Sequence, residues 1–127
     1  MCGIIGISSN KSVSANIINS LKKLEYRGYD SAGVATLFDG EINEVKSEGR
    51  VDNLEQNFDL KSLKGNIGIG HVRWATHGVP NSINAHPHSS DNVSVVHNGI
   101  IENSTILKKH LINKGHTFKS QTDTEVI

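Results

Sequence analysis

Short apolar runs alternate with stretches of helical spacing along the chain, and this alternation predicts a mixed α and β fold. The run from Gly3 to Ser8 predicts a buried strand, and apolar residues then recur at helical spacing as far as Leu24. Ser12 and Ser14 are candidate caps for this first helix. We expect the helix to be broken at Gly28, because glycine disfavours a helix interior.

Turn and strand signals continue through the middle of the chain. Asp39-Gly40 separates the apolar run 33–38 from a weaker strand that follows it, so a β-hairpin is predicted here. A short helix is expected near Leu54. Residues 66–76 and 93–97 predict further strands, with a loop rich in Asn, His, Ser and Pro between them.

The last part of the chain carries two helix signals. Asn103 or Ser104 is expected to cap a second long helix that Gly115 ends. Thr122 and Glu125 have the spacing of a capping box just before the last printed residue, which predicts the start of another helix. We therefore expect residues 1–127 to be the N-terminal part of a larger domain.

Composition limits the class of protein. A chain of 127 residues with 35% hydrophobic side chains suits one globular unit. Thirteen basic and thirteen acidic side chains balance, so no basic field exists to attract nucleic acid or anionic lipid, and neither partner is expected. A single cysteine excludes an internal disulfide, and no apolar run is long enough to cross a bilayer, which favours a cytoplasmic location.

That single cysteine, Cys2, directly follows Met1. Removal of Met1 would leave a first residue that carries both a thiol and a free α-amine. Thiols ordinarily titrate near pH ~8.5 and α-amines near pH ~8, so a neutral amine can accept the thiol proton close to neutrality. The alternative is that Cys2 is only a small apolar residue at the start of a strand.

Two further motifs have both a structural and a chemical interpretation. Asn98-Gly99 is typical of a hairpin turn, but a side-chain amide beside a glycine N–H could also stabilise an oxyanion. Arg73 follows a predicted strand, where its planar guanidinium could bind a carboxylate or simply form a surface ion pair. Thr76 and Asp123 add polar groups that suit a zwitterionic ligand.

The chain has seven histidines, which raises the question of a metal site. His86 and His88 are the closest pair, but no HExxH motif or cysteine-rich metal spacing is present. We therefore expect no metal, and we expect these histidines and the loop between Gly78 and Asn92 to make local hydrogen bonds.

Six blocks of the chain, in order, resemble the glutaminase domain of class II glutamine amidotransferases. These blocks are Cys2-Gly-Ile-Ile-Gly6, 24–33, His71-Val-Arg-Trp-Ala-Thr-His-Gly78, Asn84-Ala-His-Pro-His88, 95–103 and Thr122-Asp-Thr-Glu125. The resemblance covers most of the chain, and it favours the branch of the family that aminates fructose 6-phosphate. It implies an N-terminal-nucleophile hydrolase fold, an α+β sandwich in which two antiparallel sheets lie between helical layers.

The resemblance also implies roles for individual residues. Cys2 would be the nucleophile, and Asn98 and Gly99 would form the oxyanion hole. The amino-acid end of L-glutamine would be bound by Arg73 at its α-carboxylate and by Asp123 at its α-ammonium. The supporting positions implied are Thr76 and His77 at the same end, Trp74 in a loop that closes over the site, and Arg27 near the terminal amine.

The implied activity is hydrolysis of glutamine through a γ-glutamyl thioester, without a metal or organic cofactor. In the whole enzyme, the ammonia would pass to a sugar-phosphate isomerase domain that lies outside residues 1–127, giving glucosamine 6-phosphate. We expect a homo-oligomer. The alternatives are the glutaminase domain of another class II amidotransferase and a non-catalytic glutamine-binding module.

Overall fold

The computed structural model describes all 127 residues and has a mixed α and β architecture, as the sequence predicts. The strands are β1 (Gly3–Ser8), β2 (Ser31–Phe38), β3 (Glu41–Glu48), β4 (Ile67–Arg73), β5 (His88–Ser90) and β6 (Val93–Val95). The α-helices are α1 (Ser14–Leu24), α2 (Val51–Asn57) and α3 (Ser104–Asn113), and short 3-10 helices cover Glu25–Arg27 and Asp123–Val126. None of the helices has the length and apolar character needed to cross a membrane.

Two antiparallel sheets organise the chain. The larger sheet has four strands in the order β1-β4-β2-β3, and β5 pairs with β6 in a separate two-stranded sheet. In the larger sheet, Gly3 pairs with Val72 and Ser31 pairs with Arg73. Because β4 lies between β1 and β2, its C-terminal end adjoins both the start of the chain and the start of β2.

Helices α1 and α2 cover one face of the larger sheet. Glycines 68 and 70 of β4 leave room for α1, since a Cβ at Gly70 would lie 2.6 Å from Ile17. Ile17 and Leu21 are fully buried. The buried hydrophobic cluster under the two helices consists of Val13, Ile17, Ile18, Leu21, Ala32, Val34, Val51, Leu54, Leu63 and Val72.

The opposite face of the same sheet is polar and closely packed. Because side chains alternate along a strand, the neighbours of Val72 on β4, His71 and Arg73, point to this face. A Cβ on Gly33 of β2 would lie only 2.1 Å from the backbone oxygen of His86, so the segment before β5 packs directly on the strand. His71 and Arg73 are buried despite their polarity.

The predicted turns and helix ends are partly confirmed. Asp39 and Gly40 both have positive φ, 51° and 77°, and they form the turn between β2 and β3. Gly115, with φ 95°, lies just beyond α3; its N–H bonds to the Ile112 carbonyl, and the next N–H bonds to the Leu111 carbonyl, which is a Schellman ending.

None of the predicted side-chain caps forms. Asn103 does take the N-cap position of α3, but its side chain makes no cap bond. Val13, not Ser12 or Ser14, is the N-cap of α1, and no side chain caps this helix. A 3-10 helix does begin after Thr122, but Thr122 makes no cap bond to it. The Glu125 carboxylate instead accepts hydrogen bonds from the backbone N–H groups of residues 119 and 120, each at 2.7 Å.

The hairpin expected at Asn98-Gly99 is also wrong, and the strand before it is shorter than predicted. Strand β6 ends at Val95, and the chain from residue 96 to α3 has no regular strand. The hairpin turn lies instead at Asp91 and Asn92, between β5 and β6, where Asp91 has φ 48°.

We predict that Gly33→Ala destabilises the protein by about 1–3 kcal/mol, because the added methyl group overpacks against a backbone carbonyl that lacks room to move. Gly6→Ala is the matched control, since a Cβ on this strand glycine has no neighbour closer than 4.0 Å. Urea unfolding of both variants measures the difference. Equal stability of the two variants would contradict the close packing described for β2.

Candidate active site

The start of β1 places Cys2 against the end of β4. The Cys2 Sγ atom accepts a hydrogen bond from the backbone N–H of Trp74 at 3.2 Å. Cys2 lies one position before Gly3, whose partner is Val72, so its neighbour across the sheet edge is Arg73. The thiol is partly exposed. It is therefore accessible to a small molecule while a backbone N–H supports negative charge on sulfur.

Asn98 lies beside Cys2, although 96 residues separate them in sequence. Its side-chain Nδ2 donates to the Cys2 carbonyl oxygen at 2.9 Å. A side-chain amide has two N–H groups, so one can be held by this carbonyl while the other remains available to a ligand. The backbone N–H of Gly99 follows directly, and both residues are exposed. The structure thus brings the Asn98 amide to the main chain of Cys2.

Arg27 contacts the same carbonyl from the 3-10 helix that follows α1. Its Nε donates to the Cys2 oxygen at 2.9 Å, and its Nη2 lies 3.9 Å from the sulfur of Met1. The Cys2 carbonyl therefore receives two hydrogen bonds, from Arg27 and from Asn98. Together these bonds fix the first residues of the chain relative to the surrounding loops.

Arg73 is almost fully buried, with 3% of its surface exposed, and it holds the loop that follows β4. Its guanidinium donates to the backbone carbonyls of His77, Gly78 and Val79. The Nε–H group takes no part in these contacts. Burial lowers the pKa of Arg73, and the nearby Cys2, Asp30 and Asp123 oppose that shift.

Asp123 is buried in the 3-10 helix near the end of the chain, and its charge acts on Arg73. Its Oδ2 accepts a hydrogen bond from the backbone N–H of Ile101 at 2.7 Å. The other carboxylate oxygen makes no hydrogen bond within the protein. One oxygen therefore anchors the residue, and the second remains able to accept from a cation.

The remaining predicted residues lie on the loop after β4. Thr76 Oγ1 and His77 Nδ1 are 3.3 Å apart, so these two side chains contact each other. The Trp74 side chain is 52% exposed, which leaves it outside the core. Of the sequence-predicted residues, Cys2 is thus in direct contact with Asn98 and Arg27. Trp74 contacts Cys2 through its backbone, and its side chain is exposed.

Sequence reasoning missed two supporting residues of this loop. The Asp30 carboxylate accepts from the Ala75 N–H at 2.8 Å, and the Asp30 N–H donates to the Arg73 carbonyl at 3.1 Å. Gly28 packs so closely that a Cβ there would lie 2.7 Å from the Arg73 carbonyl oxygen. Both residues occur in block 24–33, one of the six blocks that resemble the family. Their roles depend on contacts with residues 73 and 75, which the sequence alone does not show.

Four histidines form a cluster beneath the site on the polar face of the larger sheet. The rings of His71 and His86 stack with centroids 4.1 Å apart, and His88 meets His86 edge-on at 4.7 Å. His97 bonds through Nδ1 to Thr124 at 3.1 Å, and His88 bonds through Nε2 to Thr122 at 2.8 Å. The histidines do make hydrogen bonds, but their partners lie 11 to 34 residues away in sequence and are not local as predicted. No group of three or more His, Cys, Asp or Glu side chains is arranged to hold a metal ion.

Burial keeps three of these imidazoles neutral. Burial lowers the pKa of His71 to about 4, of His86 to about 2 and of His88 to about 4. Neighbouring positive groups, including Arg73, add to the shift at each of the three. Neutral imidazoles act as one donor and one acceptor each, so the cluster works as a hydrogen-bonding network at neutral pH.

Comparison with known proteins defines the class. Residues 58–127 match the model of the glutamine amidotransferase domain, and the chain belongs to this family. It is 60% identical over 129 aligned residues to the glutamine–fructose-6-phosphate aminotransferase (isomerizing) of Clostridium acetobutylicum, and 58% identical over 127 residues to that of Mesorhizobium japonicum. Each alignment covers the whole chain but only 21% of the relative.

Solved structures show the same fold. The glutamine phosphoribosylpyrophosphate amidotransferase from B. subtilis, in complex with ADP and GMP, superposes with a TM-score of 0.83 and 33% identity. The match covers 99% of this chain and 28% of that one. A structure of the allosteric regulatory enzyme of purine biosynthesis gives a TM-score of 0.84 at the same identity. The predicted N-terminal-nucleophile hydrolase fold is confirmed.

The buried histidines predict that the free energy of unfolding falls as the pH drops from about 6.5 toward 4. An unfolded histidine titrates near pH ~6.5, so in this range the unfolded chain binds more protons than the folded one. Each such histidine contributes at most about 1.4 kcal/mol per pH unit. Urea unfolding between pH 8 and pH 4.5 measures the slope.

Replacing single histidines by glutamine tests which of them cause the change in unfolding free energy with pH. His88→Gln should make it shallower, because the half-buried ring is removed. His110→Gln, on the exposed surface of α3, should leave the slope unchanged. A stability that stays constant between pH 7 and pH 5 would contradict the neutral state assigned to the cluster.

Proposed function

We propose that this chain carries the glutamine-hydrolysing site of its family, with Cys2 as the nucleophile. The observation that carries the proposal is the convergence of two distant segments on Cys2. The Trp74 N–H donates to its sulfur, and the Asn98 amide donates to its carbonyl. A partly exposed thiol, with a backbone N–H at its sulfur and a side-chain amide at the adjacent carbonyl, suits acyl transfer from an amide.

In the proposed reaction, the Cys2 sulfur attacks the side-chain amide carbon of glutamine. The free α-amine of a Met-free chain takes the thiol proton and delivers it to the leaving nitrogen. The carbonyl oxygen becomes an oxyanion that accepts from the second Asn98 N–H and from the Gly99 N–H. Breaking the C–N bond releases ammonia and leaves a γ-glutamyl thioester, which water hydrolyses to glutamate and the free thiol.

Substrate binding is assigned to the end of β4. Arg73 provides a positive charge for the α-carboxylate, and the free oxygen of Asp123 accepts from the α-ammonium. Thr76 and His77 lie on the intervening loop, which the Arg73 guanidinium holds in place. We assign to the exposed Trp74 the role of covering bound substrate. Arg27 positions the first residue through its bond to the Cys2 carbonyl.

We further propose that the ammonia aminates fructose 6-phosphate to give glucosamine 6-phosphate in a cytoplasmic homo-oligomer. The names of the similar enzymes and the 52–60% identities to several of them support this acceptor. The chain spans 21% of the length of those relatives, which supports residues 1–127 being the N-terminal part of the glutaminase domain. The acceptor chemistry is assigned to a sugar-phosphate isomerase domain outside these residues.

We predict that Asn98→Ala, in the full-length polypeptide without Met1, lowers kcat for glutamine hydrolysis by about 100- to 1000-fold and leaves KM nearly unchanged. The lost donor matters most when charge develops on the oxygen. Asn92→Ala is the control, since this exposed asparagine lies in the β5–β6 turn. Steady-state glutamate release measures both. An unchanged kcat in Asn98→Ala would return the Asn-Gly pair to a purely structural role.

Retention of Met1 should nearly abolish activity in a folded protein. The nitrogen of Cys2 is then an amide, which cannot act as a base. Mass spectrometry identifies the two forms, and a glutaminase assay compares them before and after treatment with a methionine aminopeptidase. Full activity in a homogeneous sample that keeps Met1 would rule out the terminal-amine mechanism.

A further inference from the structure

Two histidines contact the backbone of His97, the residue just before the Asn98-Gly99 pair. The Nε2 atom of His71 lies 3.0 Å from the His97 carbonyl oxygen. The His97 N–H donates to Nδ1 of His86 at 3.4 Å. The backbone of His97 is therefore held at both its carbonyl and its N–H by imidazoles from two other parts of the chain.

These contacts determine the tautomers of both rings. A carbonyl oxygen only accepts, so His71 must carry its proton on Nε2. His86 receives an N–H at Nδ1, so this nitrogen must be unprotonated. Both rings are neutral when buried, and they stack with an angle of 12° between their planes. Each ring therefore has one defined role toward the His97 backbone.

The segment that the imidazoles hold has no regular secondary structure of its own. Residues 96–100 lie between the end of β6 and the turn before α3. His71, in contrast, lies on the central strand β4, two residues before Arg73. The bond from His71 to the His97 carbonyl therefore ties this irregular segment to a strand inside the sheet. The same segment bears the two proposed oxyanion donors.

One ring nitrogen of His71 has no hydrogen-bond partner, which indicates that the imidazole is present for the bond that its other nitrogen makes. Its Nδ1 is buried and has no hydrogen-bond partner. An unpartnered buried acceptor is unfavourable, and an aliphatic side chain at this fully buried position would avoid it. Unlike an aliphatic side chain, the imidazole can donate its Nε2–H to the His97 carbonyl.

We propose that His71 and His86 are positioning residues that hold the His97 peptide so that Asn98 and Gly99 point their donors at the reacting carbonyl. This inference rests on the proposed glutamine hydrolysis. It assigns neither histidine any contact with substrate. Small displacements of a catalytic group lower turnover strongly, whereas they affect ground-state binding less.

Two substitutions of His71 in the full-length, Met-free protein separate hydrogen bonding from packing. His71→Phe keeps an aromatic ring against His86 but removes the donor, and we expect kcat to fall about 10- to 100-fold with KM within about threefold. His71→Gln restores an N–H near the Nε2 position, and we expect kcat within about threefold of the unsubstituted protein. Equal losses in both variants, or none in His71→Phe, would overturn the proposal.

A second readout reports on the oxyanion donors directly. Glutamate γ-semialdehyde, an aldehyde analogue of glutamine, can add to the thiol and form a tetrahedral adduct that needs these donors. His71→Phe should weaken its inhibition about as much as kcat falls, while competitive inhibition by glutamate stays unchanged. Equal weakening of both inhibitors would indicate a general disruption of the site and overturn the positioning role.

Controls separate this inference from the proposed function and from instability. Val72→Ala removes a buried side chain from the other face of β4, so it should lower the Tm without changing kcat per titratable Cys2 thiol. If His71→Phe does not fold, His86→Leu and His86→Asn take the place of the two His71 variants, since Asn keeps an acceptor for the His97 N–H.

Two outcomes separate the two proposals. Absence of glutamine hydrolysis in the unsubstituted protein contradicts the proposed function itself. Normal hydrolysis in the unsubstituted protein, together with an unchanged kcat in His71→Phe, contradicts only the positioning role.

Discussion

The antiparallel pairing of β1 with β4 is the constraint on which the site depends. It sets Gly3 opposite Val72, so that Cys2 meets the residues just after β4. The pairing needs a glycine at this point, because a Cβ on Gly3 would lie 2.9 Å from both Leu24 and Val72. A one-residue shift in register would turn Cys2 to the opposite face of the sheet.

The two faces of the larger sheet have different roles: one forms the hydrophobic core, and the other supports the candidate site. One face packs aliphatic side chains from α1 and α2 into the buried cluster, and this burial stabilises the sheet. The other face buries Arg73 and neutral histidines, which stabilises it less but holds the loops around Cys2. Burial of polar groups is tolerated here because most of them have hydrogen-bond partners.

Local patterns predicted most elements and failed at specific ends. The α1 periodicity and the Asp39-Gly40 turn depend on neighbours in sequence, and both predictions are confirmed. The serine caps failed because Val13 is buried in the core and takes the N-cap position itself. The Asn98 hairpin failed because its amide bonds to the Cys2 carbonyl, a contact that no local signal contains.

The sequence by itself determined the class of fold, the alternating elements and the motif residues of the candidate site, because these follow from periodicity, turn chemistry and resemblance. Only the tertiary structure decided which of these residues meet. It placed Asn98 and Arg27 on one carbonyl and revealed Asp30 and the histidine cluster as supports. The physical reason is that hydrogen bonds and desolvation act between groups that are close in space, and strand pairing sets that closeness.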